Sequence, residues 1–201
     1  MTHRPRWFTD HGENYSHAYI ARLRKMAAEG SDLAGEARLL DALVEPGSRL
    51  LDAGCGPGRV GAVLFDRGHD VVGVDIDDRL IAAADEDHPG PTWLVGDLSE
   101  LDLAALGEPA PFDAAVVAGN VLPYLAPGTE SAVLERITAH LKPDGILAVG
   151  FGLDRGYSLT DFDAHCANSG LIREHRFATW DLRPWRSGEA YAVTVLRRAQ
   201  E

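Results

Sequence analysis

Ahead of Pro46 the apolar residues recur at spacings of three and four; beyond Arg49 they gather into short continuous runs. In the stretch from Asn14 to Ala28, Ile20, Leu23 and Ala27 form one helical stripe that Gly30 ends. Ser31 or Asp32 can cap a second helix, whose Leu33, Ala37, Leu40 and Leu43 share a face until Pro46-Gly47 stops it. Two helices are therefore expected to form an N-terminal cap over residues 1–46. The core should occupy residues 47–201.

From Arg49 the runs alternate with helical stretches, the pattern of parallel strands joined by crossover helices. Strands are expected over Leu50 to Ala53, Asp70 to Asp75, Thr92 to Val95, Phe112 to Ala118 and Ile146 to Phe151. Helices are expected over Val60 to Arg67, around Arg79 to Ala84, over Glu130 to Leu141 and over Leu159 to Ser169, with Lys142-Pro-Asp-Gly145 as a turn. Leu171 to Thr179 and Tyr191 to Leu196 follow one another without a helix, which makes them an antiparallel pair at the sheet edge. The fold class is α/β, and 201 residues suit one domain with a sizeable core.

Composition adds little beyond an ordinary globular chain, with 45% hydrophobic and 25% charged residues. Charge adds more, because a formal net charge of −12 disfavours a long nucleic acid as partner. The Arg-rich stretch from Arg173 to Arg186 is broken by Glu174 and Asp181 and reads as a solvated hairpin. Cys55 and Cys166 form no metal-ligand spacing, so no metal site is expected. No apolar run approaches the roughly 20 residues that span a bilayer, and the start Met-Thr-His-Arg-Pro-Arg is not a signal segment, which together suggest the cytoplasm and no membrane partner.

The candidate chemistry lies in Asp52-Ala-Gly-Cys-Gly-Pro-Gly58, where a buried strand turns into a helix through closely spaced glycines. Gly54, Gly56 and Gly58 can take unusual backbone angles and let the main chain approach a ligand, beside free N–H groups of the helix start. Taken alone, the turn could be purely structural. Asp75 at the end of the second strand can accept hydrogen bonds from ribose hydroxyls, and Asp97 at the end of the third can face an adenine edge. Carboxylates at the carboxyl ends of adjacent parallel strands face one crevice, so a nucleoside-containing cofactor is expected there.

Two cofactors compete for that crevice, since Gly56-Pro-Gly58-Arg-Val-Gly61 also satisfies the dinucleotide fingerprint with Asp75 near the right offset. Asp52 would repel a pyrophosphate, whereas a cationic sulfonium and ammonium would welcome it. A nicotinamide-dependent oxidoreductase is thus the second reading. A non-catalytic protein that keeps the nucleoside pocket is the third.

The ordered motifs resemble those of the class I S-adenosylmethionine-dependent methyltransferases from Arg49 onward. Leu50 to Gly58 is similar to the first motif, Val72-Gly-Val-Asp75 to the ribose-binding strand end and Gly96-Asp97-Leu98 to the adenine-binding segment. Phe112 to Asn120 and Leu141 to Leu147 resemble the fourth strand and the later proline-glycine turn. The resemblance implies a Rossmann-like sheet of seven mostly parallel strands, the last inserted antiparallel, with helices on both faces.

It also implies roles. Asp52, Ala53 and the backbone of Gly54, Gly56 and Gly58 would hold the methionine portion, Asp75 and Ile76 the ribose and adenine, and Asp97 with Leu98 the adenine rim. Ala118 and Asn120 would line the floor near the methyl group, and Tyr15 would touch the cofactor from the N-terminal side. S-adenosyl-L-homocysteine would be the product. Asn120-Val-Leu-Pro-Tyr124 lacks the adjacent prolines of the amino-group nucleic-acid enzymes, which favours a small-molecule acceptor.

The acceptor site is expected between the carboxyl edge of the sheet and the segment from Trp7 to Tyr19, with Trp7, Phe8, Tyr15 and Tyr19 as aromatic walls. Asn120, Tyr124, His11 and His17 are the candidate catalytic residues, the histidines because they titrate near neutral pH. No base is obligatory, because orienting the reactants alone can supply roughly 7 to 11 kcal/mol.

Overall fold

The structure is a computed structural model that describes residues 4–108 and 111–200. Three helices precede the first strand: α1 (Arg6–Thr9), α2 (Tyr15–Ala28) and α3 (Gly35–Leu43). The remainder alternates as β1 (Arg49–Ala53), α4 (Arg59–Asp66), β2 (Asp70–Asp75), α5 (Asp78–Asp87), β3 (Thr92–Val95), β4 (Phe112–Val117) and α6 (Glu130–His140). Then come β5 (Leu141–Gly152), α7 (Leu159–Asn168), β6 (Leu171–Phe177) and β7 (Tyr191–Arg198), with short 3-10 turns at Leu98–Glu100 and Leu122–Tyr124.

The seven strands form one sheet in the order β3-β2-β1-β4-β5-β7-β6. Every pair from β3 to β5 is parallel, while β7 runs antiparallel to both β5 and β6. The expected mixed sheet is therefore present. Its order reverses between β1 and β4, and in open α/β sheets a ligand binds outside the carboxyl ends of the strands at such a switch point.

Period-two alternation sends the strand side chains into two layers. Leu51, Val72, Ala115, Val117 and Leu147 join Val133, Leu134 and Ile137 of α6 and Phe162 of α7 on one face. Leu50, Val71, Ala114, Val116 and Ala148 join Ala37 and Leu40 of α3 with Val60 and Leu64 of α4 on the other. Both faces are dry, which explains why these strands read as continuous apolar runs.

Three local expectations are corrected. The polar start contains α1, a single turn too short for periodicity and held instead by tertiary bonds. The second helix begins at Gly35, because Asp32 accepts from the Ala34 N–H (3.1 Å) and pairs with Arg38 (2.6 Å), leaving Leu33 outside. Lys142 to Gly145 is a bulge inside β5: Leu141 pairs with Phe112 and Ile146 with Ala114, and Asp144 takes φ +65°. His140, the last residue of α6, is buried, with Nδ1 against Arg136 O (2.7 Å) and Nε2 accepting from the Leu103 N–H (3.1 Å).

No helix among the described residues is long and apolar enough to cross a membrane.

Candidate functional site

The first βα turn is built around a tryptophan. Gly58, Gly61 and Gly73 leave a slot for Trp93, and an added Cβ would come within 2.9, 2.7 and 2.3 Å of its ring respectively. The Trp93 indole N–H donates to His88 O (2.9 Å), which locks the ring behind the turn. Gly58 also takes φ +80° as the N-cap position of α4. Its role here is packing against Trp93, and it does not line the cleft.

Gly56 is different, with φ +56° and a missing Cβ that would lie in ordinary van der Waals contact with Tyr19 Cε1 (3.7 Å), across the cleft that both residues line. Bare backbone therefore floors the cleft at this point, as close approach of a ligand requires. Gly54, at φ +79°, leaves room for Val121, whose Cγ2 would lie 2.3 Å from a Cβ there.

Two carboxylates define the polar side. Asp75 accepts from the Gly56 N–H (2.9 Å) and the Asp77 N–H (3.0 Å), so it ties the glycine turn to the end of β2. Asp52 is 2% exposed and accepts from the Gly61 N–H (2.9 Å) in the first turn of α4. Burial pushes Asp75 up to about 6 and Asp52 up to about 7, in each case against the backbone N–H bonds that favour the charged form. A cation placed beside them would reverse that penalty.

These groups border one cleft at the carboxyl ends of the strands. Asp52, Gly54, Gly56, Asp75, Ile76, Leu98 and Ala118 line it together, drawn from β1, β2, the turn after β3 and the end of β4. Trp7, Tyr19, Tyr124 and Leu125 close the other side. Arg59 is the one cation among the described lining residues; it is fixed by a bidentate pair with Glu36 (2.8 and 2.6 Å). A cation directly after a glycine turn was the sequence signal for it, and Arg59 carried no assigned role.

Other expected site residues stand elsewhere. Ala53 is wholly buried in the core of β1. The Asp97 carboxylate turns back to accept from the Ser99 N–H and hydroxyl, both at 2.8 Å, so its neighbour Leu98 faces the cleft instead. Asn120, at φ +69°, accepts from the Gly152 N–H (2.7 Å) and bridges the ends of β4 and β5.

On the N-terminal side, Tyr19 lines the cleft one helical turn beyond Tyr15, whose ring stacks on His11 at 3.6 Å. The Nδ1 of His11 lies 3.1 Å from Trp7 O, so that nitrogen carries the proton. The ring sits behind Trp7 and Tyr124, with centroids 5.6 and 5.2 Å away. His17 is exposed on α2, and Phe8 does not border the cleft. The Tyr124 hydroxyl accepts from Arg155 (2.9 Å).

No cluster of three or more His, Cys, Asp or Glu residues suited to a metal lies among the described residues.

A doubly wound sheet with a glycine turn and two strand-end carboxylates at its switch point defines a class of nucleoside-cofactor proteins. Similarity narrows the class. A family model described as a methyltransferase domain matches residues 50–145. A TehB-like SAM-dependent methyltransferase of known structure from Corynebacterium glutamicum is 40% identical with a TM-score of 0.87, covering 94% of this chain and 100% of that one.

Among curated proteins, the magnesium-protoporphyrin O-methyltransferase of Rhodobacter capsulatus is 35% identical over 116 residues, which are 54% of this chain and 48% of that protein. The trans-aconitate 2-methyltransferase of Azoarcus sp. strain BH72 is 31% identical over 108 residues, 53% of this chain and 40% of that protein. The chain spans about half the length of these curated relatives. It belongs to the S-adenosylmethionine-dependent methyltransferases.

Proposed function

We propose that the chain, as one domain with residues 1–46 capping 47–201, transfers a methyl group from S-adenosylmethionine to a small-molecule acceptor. The observation that carries this reading is the bare backbone floor at Gly56 between the Asp52 and Asp75 carboxylates. Asp75 would accept from the ribose hydroxyls, while Ile76 and Leu98 supply apolar surface for the base. Asp52 offers negative charge to the ammonium, and Arg59 keeps its Nε–H and one Nη2 hydrogen without a partner among the described residues, available to the carboxylate.

Bound there, S-adenosylmethionine supplies an electrophilic methyl group whose bond to sulfur breaks as the bond to the acceptor forms. The chain contributes orientation and water exclusion, which suffice for much of the rate. Trp7, Tyr19 and Tyr124 wall the space next to Ala118, and Asn120 holds the ends of β4 and β5 in register. The acidic net charge and the aromatic walls favour a small acceptor over nucleic acid. The two curated relatives above are named for porphyrin and aconitate methylation, which supports the same class.

The test is turnover of S-adenosylmethionine to S-adenosylhomocysteine across a panel of small acids, amines and phenols. Acceptor-dependent product supports the reading. Tight product binding with no turnover on any acceptor would leave a binding protein instead.

A further inference from the structure

Helix α1 lies across the cleft and is fastened on both sides by hydrogen bonds that neither the cofactor nor the acceptor reading employs. On the β4–β5 side, the Arg6 N–H donates to Leu125 O (3.3 Å), and Arg6 Nη1 donates to Pro123 O (3.2 Å) and Arg155 O (3.0 Å). On the β2 side, the Trp7 indole N–H donates to Asp77 Oδ2 (2.8 Å). The Ser16 hydroxyl donates to the same oxygen.

Asp77 is 2% exposed and has more partners than a helix cap needs. Capping α5 takes only Oδ1, which accepts from the Arg79 N–H (3.0 Å). Its second oxygen is free to hold Trp7 of α1 and Ser16 of α2, and its own N–H donates to Asp75 Oδ1 (3.0 Å). One buried carboxylate therefore joins α1, α2 and α5, one hydrogen bond away from the acid assigned to the ribose.

What Asp77 holds is a wall of the site. The Trp7 ring borders the cleft and meets Tyr15, Tyr19 and Tyr124 edge-on at 5.0, 5.6 and 6.2 Å. Trp7 and Asp75 line the same cleft, so a nucleoside ligand seated on Asp75 would pass this ring on entering and leaving. Moving it breaks a hydrogen bond to a buried carboxylate, among the stronger ones in proteins.

We propose that Asp77 is a positioning residue that latches α1 over the cleft through Trp7 and Ser16 and so sets the rate at which a nucleoside ligand enters and leaves. The ligand's identity rests on the proposed function above; the latch does not. A latch that must open for passage in either direction slows association as well as dissociation, and releasing it changes both rates more than their ratio.

The experiment uses Asp77→Asn, Trp7→Phe and the double variant in the full chain. Asparagine keeps Oδ1 as the cap acceptor but turns an amide N–H toward the donors of Trp7 and Ser16. Phenylalanine keeps an aromatic ring but removes the indole N–H together with the pyrrole part of the ring, whereas Asp77→Asn leaves the Trp7 ring whole and so isolates the hydrogen bond. Stopped-flow exchange of S-adenosylhomocysteine should show dissociation about tenfold faster or more in each variant, association also faster, Kd changed less than either rate, and the double variant no faster than Asp77→Asn.

Amide exchange over residues 6–20 without ligand should rise in both single variants while the melting temperature stays near wild type. Unchanged rates and unchanged exchange overturn the latch. Faster dissociation with unaltered association and a matching loss of melting temperature also overturns it, since that marks a purely structural bond. If wild type binds no S-adenosylhomocysteine, the cofactor reading fails, and ligand-free exchange in Trp7→Phe still decides the latch.

Discussion

The two sides of the cleft are built differently. On the β1–β3 side the surface is backbone and short acidic side chains, at positions fixed by the sheet register and by Trp93 packed in its slot of glycines. On the α1–β4–β5 side it is large aromatic side chains from three separate segments, joined by hydrogen bonds such as Arg6 to Pro123 O and Arg155 to Tyr124. In the function proposed, the first side holds the cofactor and the second meets the acceptor. Perturbations on the two sides should therefore separate.

The largest expected effect is on pH dependence and belongs to the β1–β3 side. Burial raises Asp52 to about 7 and Asp75 to about 6, so the native state holds protons that the unfolded chain releases near pH 4. The stability these two groups contribute is full below about pH 4 and is lost as pH rises through about 6 to 7. Denaturant titration should show a loss on the order of 2–4 kcal/mol attributable to Asp52, absent from Asp52→Asn. A cationic cofactor opposes that loss, so S-adenosylmethionine should bind more tightly at about pH 8 than at about pH 5.

Next is Gly73→Ala, which places a Cβ 2.3 Å from the Trp93 ring. Thermal unfolding should report a loss of about 1–3 kcal/mol from overpacking. A neutral result would show that the slot is loose and that the rigid side is not rigid. On the aromatic side, Tyr124→Phe should raise the acceptor KM about three- to tenfold while the Kd for S-adenosylhomocysteine stays within about twofold. Equal effects on both constants would erase the distinction between the sides.

The smallest effect is expected for His17→Ala, since His17 is exposed on α2 away from the cleft. Stability should stay within about 0.5 kcal/mol, and turnover should be unaltered.

The same division explains what could be read without coordinates. β1, β2, β4 and β5 were legible because strands buried on both faces leave apolar runs, the β6–β7 pair because no helix separates its two segments, and glycines and strand-end acids mark the β1–β3 side in linear order. The exchange of Tyr15 for Tyr19 at the cleft was not legible, since it depends on the rotation of α2 against α5. Nor was the turning of Asp97 onto Ser99, a local cap that competes with any ligand role for that side chain. Helix α1 and the second oxygen of Asp77 have meaning only once residues about seventy apart in sequence meet.

The account stands on Asp75, and calorimetric titration of S-adenosylhomocysteine into wild type and Asp75→Ala tests it most directly. It predicts saturable one-site binding to wild type and an affinity at least about tenfold weaker in the variant, from loss of hydrogen bonds to a partly buried carboxylate. No binding to wild type, or equal affinity in Asp75→Ala, would contradict it.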